Sequence, residues 1–239
     1  MRRSLVLLVL VMVLGARGSA SVLAQDATPV TEADLGEVVL PPDAPAYGLS
    51  YAAWTARFAQ WTLSLPAAIH PAADPTGERC GLGQAGPVFF LVQAGDEDAI
   101  ERTCTVPAVT ALLLPLLDAS CTTVEPPPFF GGDKAELRAC SEALFAAPAE
   151  LSAVVDGVAI PDLERYRVQS DLFTVALPAG NWLEVEPAVT QGVAEGYWLL
   201  LAPLPVGEHE LRFGGGFPAS DFSSEVTYHL IVAEPTVVE

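Results

Sequence analysis

Near its C-terminal end this chain alternates apolar and polar residues at a period of two. His209, Leu211 and Phe213 share one side against Glu208, Glu210 and Arg212. Val226, Tyr228, Leu230 and Val232 share another against Thr227 and His229. That period places one face of a strand on a core and leaves the other in water. From Pro148 onward the same reading recurs in short pieces. Residues 151–155 and 158–160 flank Asp156-Gly157, the strongest two-residue hairpin signal. Further strands are expected at 166–168, 173–177 and 197–201. Short strands punctuated by Pro and Gly turns predict a mainly β chain, an antiparallel β-sandwich.

The part of the chain before Pro148 adds two helices to that scheme. Ser50 is placed to cap a helix running to Leu63, with Tyr51, Trp54, Phe58 and Trp61 on one face and Pro66 ending it. An aromatic stripe of this kind predicts a helix docked on a core. Strand signals follow at 87–92, 100–106 and 111–117, where Pro115 calls for an edge or a bulge. A short helical insertion is expected over 133–145. Asp133 and Glu136 have capping-box spacing there, and Leu137, Cys140 and Leu144 share a face. Residues 25–47, rich in Pro and acids and lacking periodicity, read as a flexible acidic leader. Residues 48–233 read as a single β-rich domain, with a subdivision near 148 left open, and 234–239 as a tail.

Residues 1–24 predict export. Arg2 and Arg3 precede the apolar run from Leu5 to Leu14, and small residues lead up to Ala24, the pattern of a secretory signal peptide. The expected location is secreted, extracellular or in a cell envelope. Without the three arginines of that segment, 8 basic residues face 30 acidic ones, a formal charge of −22. Such a surface repels phosphate backbones, which excludes nucleic acid as a partner. The apolar run is also shorter than the ~20 residues that span a bilayer, so no membrane insertion is expected after its removal. In an oxidising compartment Cys80, Cys104, Cys121 and Cys140 predict disulfides. Three pairings are open to four cysteines. The sequence-local ones, Cys80–Cys104 and Cys121–Cys140, are favoured, the second closing a loop of ~20 residues worth about 3 kcal/mol. No CxxC or nearby histidine supports a metal, and no cofactor is expected.

Several stretches resemble a group of uncharacterised exported bacterial proteins. They are Tyr47-Gly-Leu-Ser-Tyr-Ala-Ala-Trp54 leading to Trp61-Thr-Leu-Ser-Leu-Pro66, then Thr76-Gly-Glu-Arg-Cys80, Gly83-Gln-Ala-Gly-Pro-Val88, Arg102-Thr-Cys-Thr-Val-Pro107 and Gly196-Tyr-Trp198. The resemblance covers most of the chain after the signal segment. It implies one integrated unit and carries over no catalytic residue. The C-terminal part resembles immunoglobulin-like β-sandwich modules on pattern, a jelly-roll-like arrangement being the alternative.

Chemistry is sparse. No GxSxG elbow, HExxH, phosphate loop or dinucleotide fingerprint occurs. His70, His209 and His229 are far apart in sequence, and His209 is expected as a hydrogen-bonded core imidazole. Glu184 and Glu186, if on a strand, would stand ~6.5–7 Å apart on one face, within the spacing of an inverting glycosidase. Asp96, Glu97 and Asp98 form a polar turn without the alternation a calcium loop needs. Two features point to ligand contact. In Pro126-Pro-Pro-Phe-Phe-Gly-Gly132, inside the expected Cys121–Cys140 loop, prolines and the disulfide would present Phe129 and Phe130 at low ordering cost. Arg165 and Arg167, flanking Tyr166, would emerge together from an extended segment and grip a carboxylate or sulfate, with internal ion pairs as the competing fate. The expectation is a secreted, non-enzymatic binding module for a protein or glycan. The alternative is a secreted glycosidase-like hydrolase using paired carboxylates, and a structural envelope component is a third reading.

Overall fold

The computed structural model describes residues 28–94, 99–147, 149–220 and 222–234. The signal segment, the turn at 96–98 and most of the tail therefore lie outside the described residues. The architecture is mainly β, two five-stranded sheets forming a sandwich with few helices.

The first sheet is built around its longest strand. Strand β8 (Ala188–Leu201) pairs on one side with β3 (Ala111–Thr122) and on the other with two short strands, β6 (Arg167–Gln169) and β7 (Phe173–Leu177). β1 (Val88–Phe90) completes the sheet on the far edge of β3. Every residue of β8 from Gly192 to Leu201 is buried, because both faces are covered. Trp198 meets Phe58 of helix α2 (Tyr51–Leu63) edge-to-face, with centroids 5.1 Å apart. The neighbouring Tyr197 points the other way, onto Phe145, which in turn packs on Phe217 of the second sheet. Only 197–201 read as strand in the sequence. Double-sided burial explains the difference, since small residues such as Ala194 and Gly196 carry no alternating signal. Pro115 sits at a bulge, where the β3–β8 register shifts between Pro115 and Leu117.

The second sheet runs β2 (Ala99–Pro107), β10 (Phe222–Ala233), β9 (Gly207–Phe217), β4 (Glu150–Val155) and β5 (Val158–Ala159). Here the period-two reading holds: Leu211, Phe213, Val226, Tyr228 and Leu230 are all at most 1 % exposed. The expected antiparallel arrangement needs correction, because both sheets are mixed. β1 runs parallel to β3, and β2 parallel to β10. Parallel neighbours require a crossover connection. The excursion of β2 into the opposite sheet supplies it for β1 and β3.

Both helices form for the reasons their sequences suggest. Ser50 Oγ accepts from the Ala53 amide, and the aromatic stripe of α2 is buried. Its polar edges are satisfied: Tyr51 donates to the Leu40 carbonyl at 2.6 Å, Trp54 to Ala46 at 2.8 Å and Trp61 to Leu82 at 2.9 Å. In α3 (Lys134–Leu144), Asp133 accepts from the amides of Ala135 and Glu136, and Glu136 reaches back to the Gly132 amide. The disulfides are Cys80–Cys104 and Cys121–Cys140, the second tying α3 to β3.

The segment expected as a flexible leader instead carries a one-turn helix, α1 (Leu35–Val38), and packs on the sandwich. Val30 and Val39 are buried, Leu40 donates to the Leu200 carbonyl, and Ala202 donates to Val38. Apolar Val30 and Val39 outweigh the surrounding acids and prolines. The Val30 amide is held by Asp156 Oδ2 at 2.8 Å. Asp156 also accepts from His209 Nδ1 at 2.7 Å, while His209 Nε2 donates to the Pro205 carbonyl. Burial opposes charge on this imidazole, but its bonds to Asp156 and Pro205 outweigh that and hold its pKa above the ordinary value.

Candidate functional site

A cleft of about 340 Å³ opens where the C-terminal half of α2, the loop after β3 and the loop before β8 meet. Its floor is the α2-facing side of the first sheet, where Asp118 and Ser120 of β3 lie beside Ala194 of β8. Gly196 makes room at this point. A Cβ there would lie 2.2 Å from the Leu117 carbonyl oxygen and 2.8 Å from Asp118 Cα. Burial alone raises the Asp118 carboxyl to about 7.

The second carboxyl belongs to Glu125. Thr122, next to the disulfide-bonded Cys121, is the root of its loop. The Thr122 amide donates to the Phe129 carbonyl, its own carbonyl accepts from Gly131, and its hydroxyl donates to Glu125 Oε2 at 2.9 Å. Burial pushes Glu125 up to about 7, with the Thr122 hydroxyl opposing. Desolvated carboxyls of this kind cluster at functional sites.

Aromatic rings flank the carboxyls. Phe129, Trp182 and Phe222 all line the cleft, yet are 38 %, 37 % and 48 % exposed. Trp182 is positioned by its neighbour Asn181, whose side chain bonds the carbonyls of Pro178 and Val185. One face of Trp182 stacks on His70, with centroids 4.2 Å apart. His70 is 3 % exposed, its Nδ1 accepts from the Ala72 amide, and its buried Nε2 completes no hydrogen bond of ordinary geometry. Burial first, and the Arg102 charge second, lower its pKa to about 4, so the ring is neutral.

Arg102 lies behind this wall, 1 % exposed on the inward face of β2. Its guanidinium donates to the carbonyls of Ala72, Asp74, Val92 and Gln93 and to the Tyr228 hydroxyl, at 2.8–3.2 Å. It thereby joins the 70s turn, the stretch after β1 and the centre of the second sheet.

The residues singled out in the sequence divide. Phe129 and Phe130 are both exposed, so neither folds into the core, but only Phe129 lines the cleft. Arg165 and Arg167 do not emerge together, because Leu163–Tyr166 forms a 3-10 turn rather than an extended segment. Arg165 lies over the Tyr166 ring at 5.4 Å in a separate groove against the N-terminal segment. Arg167 is engaged by Glu195 at 2.6 and 2.9 Å, with Ser141 and Gln169 holding the other carboxylate oxygen. Glu184 and Glu186 sit in the irregular loop before β8, exposed, with Glu184 at a φ of 55°. The strand geometry that would set their separation is therefore missing. Among the described residues no group of three His, Cys, Asp or Glu side chains could hold a metal ion, and no helix is long and apolar enough to cross a membrane.

Sequence reasoning missed Asp118, Glu125, His70 and Trp182. One signal was present: Asp118 directly follows the seven-residue apolar run 111–117. The fold and cleft define a mixed-sheet β-sandwich with an aromatic, carboxyl-floored pocket. No protein-family model, curated protein or solved structure matches the chain.

Proposed function

We propose that this chain is a non-enzymatic binding module that acts outside the cytoplasm and seats part of a glycan or protein partner in the cleft beside α2. One observation carries the reading: three aromatic rings, Phe129, Trp182 and Phe222, remain more than a third exposed while lining the same cleft. Exposed rings around a concave site with a few convergent polar groups suit ligand contact. Export is supported by the charge and hydropathy pattern of residues 1–24 and by two disulfides that leave no free cysteine among the described residues. The resemblance to exported bacterial proteins agrees with it. The test is a glycan array and an envelope pull-down with wild type and a Phe129→Ser/Trp182→Ala variant. The variant is expected to lose binding while melting within about 4 °C of wild type, since both rings are surface-exposed. Retained binding would remove the cleft from the account.

A second reading rests on the carboxyl pair. Asp118 and Glu125, both held near 7, have the pKa that a general acid needs at neutral pH. Under that reading Asp118→Asn and Glu125→Gln would each abolish hydrolysis of an oligosaccharide that wild type turns over. Binding without turnover by wild type decides for the first reading.

A further inference from the structure

We propose that the cleft selects an organic cation, an alkylammonium group on an apolar body, with Asp118 and Glu125 taking the charge and Trp182 and Phe129 the body. The proposal deepens the binding reading and rests on it. Its basis is the one-sided chemistry of the wall. Among the described residues two carboxyls line the cleft and no lysine or arginine does. The imidazole that lines it is neutral, its Nδ1 taken by the Ala72 amide, so that wall carries no formal positive charge. The nearest buried cation, Arg102, is committed to four carbonyls and a hydroxyl behind His70. Thr62, Ser120 and Gln93 add only neutral polar groups.

Asp118 makes the case specific. It has no hydrogen-bond or ion-pair partner among the described residues, although its carboxyl lies at the cleft floor. A carboxylate held in low dielectric without a partner is costly, and an arriving cation relieves that cost. Among the described residues the Glu125 carboxyl has only the Thr122 hydroxyl. Aromatic faces attract cations through the negative face of the ring, most strongly at Trp, and quaternary ammonium ligands are the established users of such cages. Trp182 gives one face to His70 and is otherwise 37 % exposed. The volume of about 340 Å³ lies at the lower end of the roughly 300–1,000 Å³ usual for small-molecule sites.

The probes are choline, cadaverine and the neutral carbon isostere of choline, which carries a tert-butyl group in place of trimethylammonium. Titration calorimetry on the wild-type chain reads all three. Choline and cadaverine are expected to saturate and the isostere not to. Choline keeps its charge at every pH, so any pH dependence belongs to the protein. A carboxyl titrating near 7 is about one-eleventh ionised at pH 6 and about ten-elevenths at pH 8, so choline affinity should rise about tenfold per participating carboxyl across that range. Calorimetry in buffers of different ionisation enthalpy should show proton release at pH 7. Asp118→Asn should remove one of the two tenfold factors from the pH profile and leave that of Glu125, and Trp182→Ala should weaken binding about tenfold. Equal binding of the isostere, or binding of a neutral glycan with none of either cation, would overturn the cation proposal while leaving the binding reading in place. Failure of every probe and every arrayed glycan would overturn both.

Discussion

Arg102 offers the sharpest test of how the site is held. Arg102→Met keeps much of the side-chain length and removes the charge and all five donated bonds. The Val92 carbonyl retains the Tyr228 hydroxyl, which donates to it at 2.9 Å. The carbonyls of Ala72, Asp74 and Gln93 keep no donor among the bonds that Arg102 now supplies. Each buried acceptor left without a partner costs ~1–2 kcal/mol, a gross loss of ~3–6 kcal/mol. Part returns because the variant no longer desolvates a guanidinium. The expected net loss is about 3 kcal/mol, which for a chain of this size lowers the melting temperature by about 6–12 °C. Urea unfolding followed by tryptophan fluorescence should show a lower midpoint at an unchanged slope. A second readout separates this tie from generic packing: removing the positive charge should raise the His70 titration, seen by NMR, from its depressed position. A stability loss under about 1 kcal/mol, or a His70 titration that does not move, would refute the reasoning.

Two further expectations follow from geometry already described. Gly196→Ala drives a Cβ to 2.2 Å from the Leu117 carbonyl oxygen. It should cost about 2 kcal/mol or more in thermal unfolding, because backbone rather than a flexible side chain blocks the space. The Asp156–His209 pair predicts a stability plateau at mildly acid pH. His209 is raised when folded, so its contribution is complete below ~6.5 and is lost as pH rises through its folded value. Asp156 is lowered: burial works against its charge, but bonds from His209, Val30 and Glu210 prevail. Its contribution is complete above ~3.8 and is lost as pH falls through its folded value. The difference in urea midpoint between wild type and Asp156→Asn should be largest between about pH 4 and 6.5 and shrink on either side.

The legible part of the fold was the part with one wet face. β9 and β10, half in water, announced themselves by alternation, and the α2 stripe by its 3.6-residue spacing. β8 did not, because a strand buried on both faces has no polar beat to read. Strand partners were also hidden: nothing local in Ala99–Pro107 distinguishes pairing with β10 from pairing with a sequence neighbour. The disulfides were within reach because local pairings are few. The site fared worse. Phe129, singled out from its stiff, cross-linked loop, lines the cleft, whereas Asp118, Glu125, His70 and Trp182 come from segments up to 112 positions apart in number. Only the tertiary fold brings such groups to one cleft. Arg167 shows the reverse. Its chemistry suited a ligand, but Glu195 across the β6–β8 pair already satisfies it.

The interleaving of strands between the sheets also dictates when this molecule can exist. Strand β2 is complete by residue 107, yet among the described residues its sole neighbour in the sheet is β10, the last of the described strands. Val226 must find Ile100, and Val232 must find Val106, across more than a hundred intervening positions. Closing so long a loop is entropically late and slow. A chain emerging N-terminus first therefore carries an incomplete sandwich until residues 222–233 have arrived. Loss of the last dozen described residues would remove a central plank and leave β2 stranded.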